Sequence, residues 1–185
     1  MRKIVLFWSL VLSLNINAQS KFESQIKVSY ELGLDNDKNK SFGGEFIAGF
    51  RTTDALRIGA GLGIYWCEHL YRNAHYNTTI NYFEKEYRET ASYIPVFADI
   101  KYNFLITGKW RPFVSAGLGY SIFNSYSDYA KDNKLGFFAK PSIGVDYNLG
   151  KMNFVLEIGY KYQDREFRGE KMGYSQGVLS IGCQF

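Results

Sequence analysis

The chain has 185 residues, a formal net charge of +4 and 18% aromatic content, with 15 Tyr and 15 Phe. So slight a positive charge asks for no nucleic-acid partner, and a mean hydropathy of -0.24 excludes a bundle of membrane-spanning helices, which would lie well above zero. The aromatic fraction is high for a soluble domain and natural where strands end in interfacial girdles.

Residues 1–18 begin with Met1, Arg2 and Lys3, run apolar over 4–14 and end on Ile16, Asn17 and Ala18. That is the order of a secretory signal: charge, apolar core, small residue at the cut. The apolar run is far shorter than the roughly 20 residues of a spanning helix, so cleavage after Ala18 is expected. Residues 19–185 then form the mature domain, and loss of Arg2 and Lys3 lowers the charge from +4 to +2.

From Gln25 onward the text alternates with period two, the mark of a strand with two unlike faces. Strand one sets Ile26, Val28, Tyr30, Leu32 and Leu34 against Lys27, Ser29, Glu31 and Gly33. After the polar loop 35–40, strand two sets Phe42, Phe46, Ala48 and Phe50 against Gly43, Glu45, Gly49 and Arg51, with Ile47 interrupting the polar face. Strand three carries Leu56, Ile58, Ala60, Leu62, Ile64 and Trp66 opposite Arg57, Gly59, Gly61 and Gly63.

Residues 68–92 form the longest and most polar excursion, part of it extending the flanking strands. Strand four sets Ile94, Val96, Ala98, Ile100, Tyr102 and Phe104 against Phe97, Asp99, Lys101 and Asn103. Pro95 cannot donate to a ladder, which predicts a bulge there. Strand five alternates Val114, Ala116, Leu118, Tyr120 and Ile122 with Ser115, Gly117, Gly119 and Ser121, repeating the AGLG of residues 60–63 at 116–119. Beyond a loop at 125–134, strand six turns Ile143, Val145, Tyr147 and Leu149 outward and Lys140, Ser142, Gly144, Asp146 and Asn148 inward. Strand seven follows the Gly150–Lys151 turn with Phe154, Leu156, Ile158, Tyr160 and Tyr162 against Glu157, Gly159 and Lys161. After a polar stretch at 164–173, the last strand aligns Gly177, Leu179, Ile181, Cys183 and Phe185 opposite Gln176, Ser180, Gly182 and Gln184.

Connections alternate between tight and long, which puts three tight turns on the periplasmic side and four longer loops outside. Eight strands of about five large apolar residues each give roughly forty such side chains, more than an eight-stranded interior holds. The apolar set therefore faces outward, toward lipid. The expected fold is all-β, an eight-stranded antiparallel transmembrane β-barrel in an up-and-down meander. A sixteen-stranded pore would use roughly 160 of the 167 mature residues for strands and leave no loops. Cys67 and Cys183 fall at opposite ends of the barrel, beyond the about 7 Å that a disulfide spans, so both are expected free.

The segments RPFVSAGLGY at 111–120 and YIPVFADIKYNF at 93–104, together with the terminal Phe185, resemble the small outer-membrane β-barrel family of the OmpA and OmpX type. The resemblance covers the whole mature chain and implies residence in the outer membrane, contact with its lipid and a monomeric barrel. It also implies that Phe185 belongs to an insertion signal read by the barrel-assembly machinery. It specifies architecture and carries no catalytic signature and no cofactor.

Chemistry has two candidate locations. The inward charges Lys27, Glu31, Glu45, Arg51, Arg57, Asp99, Lys101, Lys140, Asp146, Glu157 and Lys161 must pair in a closed lumen, because an unpaired buried charge costs several kcal/mol. They form either a structural plug or a path for an ion or small solute, the latter being a porin. Strands four and five are expected to pair Asp99 with Gly117 and Lys101 with Ser115, leaving Arg57 as the partner of Asp99. The second location is the outer excursion with His69, Tyr71, His75, Tyr76 and Tyr82, whose richness in Tyr and charge suits an adhesion-like surface contact with an extracellular protein. A lipid-modifying barrel enzyme would need a Ser held by a His and an acid on the lipid face. Both histidines are assigned to the outer loop, so neither an enzyme nor a metal centre is expected.

Overall fold

The computed structural model describes residues 21–34, 40–72, 86–125, 133–167 and 170–185. They form eight strands: β1 Lys21–Gly33, β2 Lys40–Arg51, β3 Leu56–Arg72, β4 Glu86–Asn103, β5 Trp110–Ser125, β6 Asn133–Asn148, β7 Asn153–Phe167 and β8 Glu170–Gln184. Each pairs antiparallel with its sequence neighbours, and β1 closes on β8 into a barrel. The seam runs from Gln25 opposite Gln184 to Gly33 opposite Gln176. Two further bonds between the backbones of Ser24 and Phe185 extend it.

Alternation decides which face is which. On β1, Ile26, Val28, Tyr30 and Leu32 are exposed while Lys27, Ser29 and Glu31 are buried, and the same inversion of a soluble protein's pattern holds on every strand. Phe22, Phe50, Tyr102, Trp110, Phe154 and Phe185 ring the end bearing the tight turns; Tyr30, Phe42, Trp66, Tyr120, Phe137 and Tyr162 ring the other. Phe22 and Tyr30 stand eight positions apart on one strand, about 26 Å along it and about 20 Å along the axis at a tilt of about 40°. That is close to the height of an outer-membrane apolar band.

Three readings of the sequence are corrected: the bulge at Pro95, the loop placement of His69 and Tyr71, and the loop at 164–173. The barrel has no bulge at Pro95: β4 keeps one register with β5, Pro95 facing Ser121. Toward β3, pairing lapses between Leu62–Val96 and Tyr65–Tyr93 and resumes unshifted. The ring thus loses its donor where the ladder opens for two positions, without inserting a residue. The irregularity lies instead on β6, where the register with β7 shifts between Leu135 and Phe138, so that both side chains face inward. As expected, part of the excursion 68–92 extends the flanking strands: β3 and β4 pair as far as Arg72 with Glu86. His69 and Tyr71 accordingly stand on β3, opposite Glu89 and Tyr87. Strands β7 and β8 take up 164–167 and 170–173, pairing as far as Phe167 with Glu170.

The AGLG repeat has a packing reason. Gly61 of β3 and Gly119 of β5 stand directly opposite Phe97 on either side. A Cβ on Gly61 would lie 2.4 Å from the Phe97 ring, so the aromatic fits inside the barrel only across glycine. Cys67 and Cys183 are not joined in a disulfide; Cys67 is buried and its thiol donates to the Ala91 carbonyl at 3.3 Å.

Candidate functional site

Alternation sends ten buried charges into the lumen, five cations and five anions among the described residues. Burial without pairing would be costly for each, and the barrel meets the cost in layers. Nearest the tight turns, Arg57 Nη2 meets Asp99 Oδ2 at 2.5 Å and its Nη1 donates to Gln25 Oε1 at 2.6 Å. Beside them Lys101 Nζ lies 2.7 Å from Asp146 Oδ1 and 2.9 Å from Gln184 Oε1, while Asn103 Nδ2 donates to Asp146 Oδ2 at 2.9 Å. Below this layer Arg51 pairs with Glu23 at 2.6 Å at the half-buried rim.

The middle layer is a chain across the lumen. Lys140 Nζ reaches Glu45 Oε1 at 2.5 Å, Lys27 Nζ lies 3.3 Å from Glu45 Oε2 and 3.1 Å from Glu157 Oε2, and Tyr65 Oη donates to Glu45 at 2.7 Å. In the outermost layer Lys161 Nζ sits 3.0 Å from Glu31 Oε1; Tyr93 Oη donates to Glu31 and accepts from Lys161 at 2.9 Å. Every layer is neutral by itself. Each also seats one lysine over an aromatic face: Lys101 over Phe113 at 4.1 Å, Lys140 over Phe97 at 5.3 Å and Lys161 over Tyr93 at 4.6 Å. Such contacts replace part of the hydration that an ammonium loses on burial.

The structure thus brings together Glu31, Glu45, Arg57, Asp99, Lys101, Asp146, Glu157 and Lys161 with Lys27 and Lys140. Asp99 faces Gly117 and Lys101 faces Ser115 across the ladder, as expected. Sequence reasoning missed Tyr65 and Tyr93, which stack at 5.0 Å and supply hydroxyls to two carboxylates. Their signal was parity, since Tyr93 shares its face with Phe97 and Asp99. Of the outer-surface residues, His69 and Tyr71 lie on β3, whereas His75, Tyr76 and Tyr82 lie outside the described residues, as does the signal segment 1–18.

The layers are matched in charge, while Arg57 Nε, Asn103 Oδ1 and both side-chain polar atoms of Gln176 lack a hydrogen-bond partner among the described residues. The ion pairs cross the lumen and tie walls together, as Lys140 on β6 does with Glu45 on β2.

The sequence matches the outer membrane protein beta-barrel domain family over residues 5–185, while no curated protein matches it. Neisserial surface protein A shares the fold with a TM-score of 0.66 at 15% identity, covering 90% of this chain and 98% of that one. Outer Membrane Protein W of E. coli (TM-score 0.48, 15% identity, 92% and 99% covered) and the N-terminal β-barrel domain of Pseudomonas aeruginosa OprF (0.45, 18%, 90% and 100%) are more distant in shape, and the likeness in fold rests on the first of the three. With the match running through all eight strands and an apolar band turned outward, the chain belongs to the outer membrane protein beta-barrel domain family and resides in the outer membrane, its outer face against lipid.

Proposed function

We propose that this barrel is a closed, monomeric, surface-displayed protein whose role is contact with an extracellular partner, with no enzymatic or transport chemistry. The observation that carries the reading is the neutral, layered lumen: a filled interior leaves the outward end as the surface able to act. There β3 and β4 continue as a paired ribbon to Arg72 and Glu86, past the last pairs with β2 and β5 among the described residues, Lys40 opposite Glu68 and Ser125 opposite Ala91. A strand ribbon of this length at the outward end offers backbone edges to a partner strand. Neisserial surface protein A is by name a surface protein, which agrees with this reading.

Removing residues 71–85 is expected to abolish binding of the protein to host cells or matrix while leaving insertion and heat-modifiable gel migration intact. Undiminished binding by the inserted variant would refute the contact role.

The proposal extends to assembly. Phe185 is exposed on the lipid face and its backbone closes the seam, donating to the Ser24 carbonyl at 2.8 Å. Phe185→Ser keeps those backbone bonds and removes only the aromatic, so it is expected to reduce outer-membrane levels by slowing recognition by the barrel-assembly machinery. Wild-type levels of the variant, measured by quantitative blotting of membrane fractions, would remove Phe185 from that role.

A further inference from the structure

The tight-turn end of the barrel is unequal around its rim. The turn between β4 and β5 reads FLITGKW at 104–110 and that between β6 and β7 reads YNLGKMN at 147–153, neither with an acidic residue. In both, a glycine in the left-handed region, Gly108 at φ 97° and Gly150 at φ 94°, reverses the chain and is followed at once by a lysine. The two turns are neighbours: the Asn148 amide donates to the Lys109 carbonyl at 2.7 Å, and the Trp110 and Tyr147 rings lie 4.6 Å apart. Lys109 and Lys151 are exposed, and among the described residues neither has a carboxylate partner. Around them Leu105, Ile106 and Leu149 are 54%, 44% and 56% exposed, carrying the apolar surface past the aromatic girdle. The third turn, between β2 and β3, reads TTDA at 52–55. Its exposed Asp54 and hydroxyl-bonded backbone, with Thr53 Oγ1 accepting from the Leu56 amide at 3.0 Å, give that side of the rim a polar, acidic character.

We propose that the paired Gly-Lys turns form a docking site for an anionic phospholipid of the periplasmic leaflet, its phosphate between Lys109 and Lys151 and its acyl chain along the adjoining barrel wall. Three observations converge on this occupant. The site is continuous with the lipid-facing surface, so a lipid reaches it without leaving the bilayer. Its charge is cationic only, which selects an anionic headgroup over a zwitterionic one. A shallow groove of about 550 Å³, lined by Phe104, Pro112, Val114, Ile143, Val145 and Leu156 among others, starts beside these turns and runs along the lipid face, where an acyl chain lies. The acidic turn adjoins the β4–β5 turn on its other side, the Asn103 amide donating to the Ala55 carbonyl at 2.8 Å, so binding is confined to the side where Lys109 and Lys151 face each other.

The test is native mass spectrometry of the full-length purified protein released from micelles holding equal amounts of phosphatidylglycerol and phosphatidylcholine of the same chain length. The wild-type protein is expected to retain phosphatidylglycerol preferentially. A lysine near an anionic membrane surface contributes about fivefold in affinity, so Lys109→Gln with Lys151→Gln is expected to weaken that retention roughly tenfold or more. The corresponding double arginine variant is expected to keep it, and Lys40→Gln, which removes one charge at the opposite end, to leave it unchanged. Equal retention of the two lipids by the wild-type protein, a result that needs no variant to fold, overturns the proposal. Wild-type retention by the double glutamine variant, or an equal loss in Lys40→Gln, also overturns it.

Discussion

Glu45→Ala is expected to destabilise the barrel by about 3–5 kcal/mol, the usual cost of removing one partner from a buried ion pair. Glu45 is the hub of the middle layer. Its loss leaves Lys140, 2.5 Å away, with no other ion-pair partner among those described, halves the compensation of Lys27 at 3.3 Å and removes the carboxylate acceptor of the Tyr65 hydroxyl at 2.7 Å. All three are buried, so water cannot readily replace the carboxylate. Glu45→Gln keeps an acceptor for Tyr65 and is expected to cost less than the alanine variant. Urea titration in micelles, followed by heat-modifiable migration, reads both losses. A double-mutant cycle with Lys140→Ala isolates the pair: the second substitution should cost little once Glu45 is gone. An alanine variant within about 1 kcal/mol of wild type would show that the layer is hydrated and does not depend on this carboxylate.

Planar-bilayer recordings of the purified protein are expected to show no stable open state. An eight-stranded interior is just wide enough to be filled by side chains, and here Arg57, Tyr65, Tyr93, Lys27, Lys101 and Phe113 are among the largest fully buried groups. A permeating ion would have to displace several ion pairs at once, since Lys27 bonds β7 through Glu157 and Lys161 bonds β1 through Glu31. Raising the salt concentration is not expected to open it, because buried pairs are weakly screened. Large, steady single-channel currents would overturn the plug and establish a porin in its place.

Much of this was legible in the residues. Period-two alternation marks eight outward apolar faces, and forty large apolar side chains cannot fit within so narrow a barrel, so the lipid face follows from counting. The register that sets Asp99 against Gly117 also follows, from the length of the tight turn at 104–109. The reach of the strands beyond the bilayer was harder to see. Around His69 and Tyr71 and over 164–173 the sequence is polar in both parities, and a polar ribbon and a polar loop look alike in sequence. Pro95 misled for a different reason: proline needs only the absence of a required donor, and a two-position opening in the β3–β4 ladder supplies that as well as a bulge would.

Strand number, compartment-bearing polarity and the list of inward charges were determined by the sequence alone, because side-chain direction along a strand depends only on neighbours one and two positions away. Which charge meets which was decided by the closed barrel. Lys27 finds Glu157 and Lys161 finds Glu31, each 130 positions away in the chain, because β1 seals against β8 and the tilt of the strands raises distant residues to one level. The shift between Leu135 and Phe138 and the seating of Phe97 across Gly61 belong to the same class. They are settled by the shape of a lumen that exists only once all eight strands have paired.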